Sequence, residues 1–142
     1  MLRRWHFLLA RPLSDNQKTA LHSRLMIFLS QWSSHGRPVR AEVSFPFNQI
    51  IEVATEDSVS GCAIDELFHY IHEVVKDMAL TLLPTDYVCV FLDGIIFSEK
   101  FYEIIKKYKA GDWPPEARIV DMDQAGVRLV PIEHSRIAIH LK

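Results

Sequence analysis

The chain is short of cysteine, short of glycine, balanced in charge and free of any long apolar run. Its two cysteines, Cys62 and Cys89, are too few for the disulfide framework that staples small secreted domains. Its five glycines, Gly36, Gly61, Gly94, Gly111 and Gly126, open neither a Gly-x-x-x-x-Gly-Lys-Ser/Thr phosphate loop nor a Gly-x-Gly-x-x-Gly turn. ATPase and dinucleotide-binding readings therefore have no support. No window approaches the ~20 apolar residues that span a bilayer. Sixteen Lys and Arg against 18 Asp and Glu leave a net charge of −2, which argues against a bulk nucleic-acid or anionic-membrane binder. The opening Met1-Leu-Arg-Arg-Trp-His-Phe-Leu-Leu-Ala-Arg11 has a basic start like a signal peptide, but its apolar stretch is short, broken by His6 and closed by Arg11. The expectation is a cytoplasmic protein with no membrane and no nucleic-acid partner.

What remains is an ordinary globular composition, 49% hydrophobic and 24% charged over 142 residues. A chain of this length buries roughly two-thirds of its unfolded surface, enough for a core without metal or disulfide. Trp5, Phe7 and Leu9 recur at period two, a half-buried strand closed by Arg11-Pro12. Ser14 with Gln17 three residues on forms a capping box. The helix it opens carries Leu21, Leu25, Phe28, Leu29 and Trp32 on one stripe, with Gly36 as its expected end and Pro38 beyond. Val39, Ala41, Val43, Phe45 and Phe47 alternate as a second strand; a turn at Pro46-Phe47-Asn48 leads to a hairpin partner at Ile50–Ala54. A polar loop from Thr55 to Gly61 precedes a second helix with Ile64, Leu67, Phe68, Ile71, Val74, Val75 and Met78 on its apolar face. Tyr87–Leu92 is a continuous apolar run, a strand covered on both faces.

The order strand, helix, strand, strand, helix, strand predicts an α+β fold, a ferredoxin-like βαββαβ sandwich over residues 1–94. Residues 95–142 form a C-terminal extension. Ser98 is the expected cap of a third helix bearing Phe101, Ile104, Ile105 and Tyr108 and ending at Gly111. Trp113-Pro-Pro115 reads as a rigid linker. Arg118–Met122, Val127–Ile132 and Arg136–Leu141 read as short strands, with Asp123-Gln-Ala-Gly126 turning between the first two.

The segment Ser58-Val-Ser-Gly-Cys-Ala-Ile-Asp65 is the candidate site. It sets Cys62 at a helix N-terminus, where unpaired N–H groups and the helix dipole favour a thiolate. Gly61 beside it lets a ligand backbone come close. The plain structural alternative has Ser60 cap the helix while Cys62 packs under the loop; Asp65 and Glu66 compete for the same positive end. A cysteine nucleophile needs a base, and His35 is the candidate. Its plain reading is a cation complementing the dipole at the end of helix one. Asp65, His69, His72 and Glu73 share one helical face, but a single helix rarely completes a metal site, so a solvated face is expected and no metal. His134 and His140 carry no pattern. Lys100, Lys106, Lys107 and Lys109 make helix three basic towards its end, as dipole complementation requires. Phe7, Phe45 or Phe47 would stack bases only if they lay on an open sheet face.

Trp32-x-x-His35-Gly36 followed by Ser60-Gly61-Cys62-Ala63-Ile64-Asp65 resembles a group of short uncharacterised bacterial proteins, often labelled "ABC transporter ATPase" although they lack phosphate-loop motifs. The resemblance runs from Trp5 to Gly94, including Ile50–Ala54 and Tyr87–Gly94, with a fainter echo beyond. The group usually has serine where Ala63 stands here. It implies a cytoplasmic bacterial protein, marks Trp32, His35, Cys62 and Asp65 as positions of interest, and supplies no reaction, substrate or cofactor.

The expectation is a non-enzymatic binding or interaction module contacting a small molecule or protein through Trp32, His35, Ser60, Gly61, Cys62 and Asp65, without a cofactor. The alternative is a thiol-dependent enzyme or redox sensor using Cys62. Exposed edge strands add a homodimer to the expected partners.

Overall fold

The structure, a computed structural model, describes residues 2–142, so Met1 of the opening segment lies outside the described residues. It is a mixed α+β protein that divides into two compact units at Leu82–Leu83.

In the first unit the backbone runs β1 (Arg3–Leu8), α1 (Asp15–Gln31), β2 (Ser33–Ser34), β3 (Arg37–Pro38), β4 (Ala41–Ser44), β5 (Ile50–Thr55) and α2 (Gly61–Asp77). Three strands form an antiparallel sheet in the order β1-β5-β4, with Trp5 opposite Val53 and Val43 opposite Val53 from the other side. The period-two alternation of these strands sends Trp5, Phe7, Ile51 and Val53 to one face. There they pack with Leu21, Leu25 and Leu29 of α1 and Leu67, Ile71, Val74 and Val75 of α2 in a single core. The other face presents Arg4, His6 and Glu52, with His6 Nε2 2.8 Å from Glu52 Oε2. The Ser14–Gln17 capping box is present in both directions: the Gln17 N–H donates to Ser14 Oγ and the Ser14 N–H to Gln17 Oε1. After α2 the chain returns to β1 for one rung only, an antiparallel bridge between Leu9 and Leu82.

The helix carrying Trp32 ends earlier than Gly36. Trp32 is its C-cap, and Ser33–Ser34 then pairs antiparallel with Arg37–Pro38. His35 and Gly36 are the two turn residues of this hairpin, with φ of 53° and 75°, the left-handed pair that a type I′ turn requires. His35 is thus not a last-turn helix cation.

In the second unit β6 (Tyr87–Leu92), β7 (Ile95–Lys100), α3 (Phe101–Lys109), β8 (Arg118–Asp123) and β9 (Gly126–Val130) follow in order. The strands form an antiparallel sheet ordered β7-β6-β8-β9. Val88 and Val90 of β6, Ile119 of β8 and Ile104 and Ile105 of α3 share a second core with Ile132 and Ile137. Tyr87–Leu92, expected as the fourth strand of the first sheet, therefore belongs to a different sheet, and the chain divides at Leu82–Leu83 rather than at residue 94. Asp93 and Gly94, with φ of 52° and 75°, turn β6 directly into β7. Ser98 consequently lies inside a strand, and α3 starts at Phe101 after Lys100 without a side-chain cap. Trp113 packs on the second core, so its segment is no free linker. Residues 136–141, expected as a strand, instead form turns that include a 3-10 segment at Ala138–Leu141; buried Asp121 accepts hydrogen bonds from the Arg136 backbone N–H.

Candidate functional site

The hairpin β2–β3 and the loop Glu56–Ser60 lie side by side, and a chain of hydrogen bonds holds them there. The buried Trp32 indole N–H donates to the Ala63 carbonyl at 2.9 Å, tying the end of α1 to the first turn of α2. The Ser60 N–H donates to the Ser34 hydroxyl at 2.9 Å. Ser60 Oγ in turn accepts from the Ala63 N–H at 3.2 Å, the N-cap arrangement read from the sequence. At the other end of the loop, the Arg40 N–H and guanidinium both donate to Asp57, at 2.7 and 3.1 Å. Buried Thr55 donates through its hydroxyl to the Arg40 carbonyl and accepts from the Asp57 N–H. The Arg40 guanidinium beside it holds the Asp57 carboxyl below its ordinary range.

Two shallow grooves flank His35. One, of about 660 Å³, is lined by Ser33, His35, Ser60, Gly61, Cys62, Ala63 and Glu66. The other, of about 460 Å³, is lined by Ser34, His35, Arg37, Pro38, Asp57 and Ser58. Four of the residues singled out in the sequence, His35, Ser60, Gly61 and Cys62, thus meet in one groove, although β3, β4 and β5 separate His35 from the other three along the chain. Trp32 is the fifth, buried beneath them as a support and not a contact. Asp65 is exposed but outside both grooves, because the helical turn that brings Glu66 round to the side of Cys62 carries Asp65 past it.

Cys62 is exposed rather than packed under the loop. Among the described residues it makes no hydrogen bond with His35. Cys89, by contrast, is fully buried in β6, and burial pushes its thiol up to about 12. Gly61 has open space where a side chain would stand, so nothing within the fold itself requires a glycine there.

The other candidates are not brought together. His69 pairs with Glu73 at 3.4 Å, His72 hydrogen-bonds the Phe68 carbonyl through Nδ1, and no group of metal-ligating side chains assembles among the described residues. Phe7 is buried on the helix-covered face, Phe45 is half-buried against the first core, and Phe47 is exposed in the turn Pro46–Asn48. They form no aromatic row on the open sheet face. Ser34, Arg37, Arg40 and Asp57 were not anticipated. The signal available for them was the dipeptide His35-Gly36, read as a helix end when it marks a two-residue hairpin.

No family model matches the chain, and no curated protein or solved structure matches it. Among the described residues no helix is long and apolar enough to cross a membrane.

Proposed function

We propose that the chain is a cytoplasmic, non-enzymatic binding module whose contact surface is the pair of grooves about His35. The first unit is then a ferredoxin-like βαββαβ sandwich with its fourth strand reduced to the Leu9–Leu82 rung. The order β1-β5-β4 and the packing of both helices on one face support that reading. The motif resemblance supports placing the chain among the short bacterial proteins described above. The observation that carries the binding reading is the pinned loop: Ser34, Ser60, Arg40 and Asp57 hold backbone and side chains around an exposed, shallow surface without burying a reactive group in it. A preorganised surface of this kind lowers the entropy lost on binding.

The second reading, a thiol enzyme or redox sensor, draws on a specific feature, exposed Cys62 in the groove that His35 lines. Alkylation of both cysteines across pH, resolved by peptide mass spectrometry, separates the two. The binding module gives Cys62 a rate that rises with pH like a simple thiol, while Cys89 stays unmodified until the fold melts. A Cys62 rate already at its plateau near pH 6 and lowered by His35→Ala overturns the binding reading in favour of the enzyme.

A further inference from the structure

The hydrogen bonds of β5 fix which backbone groups of β4 point away from the sheet. The Leu9 N–H donates to the Gln49 carbonyl. Because successive residues point alternately to the two neighbours, Ile51 and Val53 bond β1, and Glu52 and Ala54 turn to β4. Ser44 and Glu42 stand opposite these two and bond inward, which leaves Ala41, Val43 and Phe45 directed outward. The start of the strand agrees with this phase. The Arg40 carbonyl accepts from the Thr55 hydroxyl on the β5 side, and the Val39 N–H donates to the Trp32 carbonyl on the outer side. Among the described residues no partner meets the Val43 N–H and carbonyl, the Phe45 N–H, or the Ala41 N–H and carbonyl. Val43 and Val53 lie opposite each other on one core, yet Val53 is fully buried and Val43 only half-buried. On α1, His22 meets the Phe45 ring edge-on at 6.3 Å between centroids. Met26, one turn further on the same side, is 39% exposed.

We propose that the outer edge of β4 pairs with the same edge of a second copy, antiparallel about a two-fold axis between the two Val43 residues. Two three-stranded sheets then become one. The free groups and the charges select this occupant and this register. Centred on Val43, the pairing uses all the outward residues: the Val43 residues bond each other, and each Phe45 N–H donates to the other copy's Ala41 carbonyl. On the core side Val43 meets Val43 and small Ala41 meets Phe45. On the opposite side the Glu42 carboxylate faces the other copy's Ser44 hydroxyl. An axis at Glu42 sets two carboxylates directly opposite, which destabilises a strand pair, and calls on the Val39 N–H that Trp32 already holds. An axis at Ser44 leaves Ala41 facing the turn after β4. His22 lies at Phe45 and Trp32 at Val39, so Met26 between them comes level with the axis, where its counterpart covers it. Main-chain bonding provides affinity in such strand addition, and alternate side chains give its specificity. The inference is independent of the surface about His35.

The test uses sedimentation and residue-resolved amide exchange on the full chain across a concentration series. A monomer–dimer equilibrium is expected. The Val43 and Phe45 amides should gain protection as the dimer forms, while those of Glu42 and Ser44, bonded within the protomer, are protected throughout. Ser44→Lys sets a cation opposite the other copy's Glu42 and should tighten the dimer about 2- to 30-fold over the two symmetric pairs. Adding Glu42→Lys sets lysine opposite lysine and should reverse that gain. Both positions are exposed, and circular dichroism verifies the fold. A chain that stays monomeric throughout the series overturns the proposal, as does a dimer whose Val43 amide exchanges freely. Protection of that amide in the monomer overturns it in favour of a cover from the protein's own chain. Equal dimer strength in the single and double lysine variants overturns the register, and the proposal with it.

Discussion

The Ser60 N–H donates to the Ser34 hydroxyl across a sequence separation of 26 residues, and this bond joins the hairpin to the start of α2. Ser34 is buried, at 7% exposure, and Ser60 is half-buried. The groove containing His35 and Cys62 exists because this bond sets two loops at a fixed spacing.

Ser34→Ala leaves that N–H unpaired and is expected to cost about 1–3 kcal/mol of stability. Ser60→Ala removes the cap of α2 as well and should cost about 0.5–2 kcal/mol. Because the Ser60 backbone N–H is the donor, it survives in Ser60→Ala, so the two losses are expected to add in a double-mutant cycle measured by urea unfolding. Strong coupling would show that the Ser60 hydroxyl also supports Ser34.

His35 occupies a left-handed conformation that suits glycine better than a side chain. His35→Gly should stabilise the protein by up to about 1 kcal/mol, while His35→Val, β-branched at the same φ, should destabilise it. Thermal unfolding of both variants decides; equal midpoints would mean that the turn relaxes without cost.

Gly61 stands at the first position of α2 with free space around its missing side chain. Gly61→Ala should fold normally and keep its unfolding midpoint within ~0.5 kcal/mol of the parent. A partner whose backbone approaches this position would lose affinity for the variant. The paired measurement therefore separates a role in binding from a role in folding.

The Arg40–Asp57 pair makes a prediction for acid. Its folded carboxyl titrates below the ordinary value, so the folded state prefers the ionised form. The associated stability is complete above the unfolded value of about 3.9 and is lost as pH falls through the lower folded one. Asp57→Asn should be less stable than the parent at neutral pH, and that difference should shrink below pH 4. Urea midpoints across pH 2–7 provide the check; a constant difference would assign the effect to the backbone hydrogen bond alone.

Elements with a strong internal period were legible. The Ser14–Gln17 box, the Leu21–Leu25–Leu29 stripe and the alternation of β5 each rest on contacts within a few residues of chain. The candidate segment was legible as well, since Ser60 is a cap by residue type and position. The turns were read less well. Asp93-Gly94 is among the strongest two-residue hairpin signals, yet the expected helix cap at Ser98 leaves no room for the strand Ile95–Lys100 that this turn opens. His35-Gly36 was read as a helix end because glycine serves both purposes, and only the pairing of Ser34 with Arg37 distinguishes them.

Sequence alone thus determined where the three helices and most strands lie, though not the end of α1 or the start of α3, and which side of each is apolar, because those properties follow from local periodicity. The tertiary structure decided which sheet Tyr87–Leu92 joined, where the strand pairing of β1 stopped, and that His35 meets Cys62. An apolar face specifies that something must cover it but not which segment does so, and a hydrogen bond between Ser34 and Ser60 leaves no pattern in the residues between them.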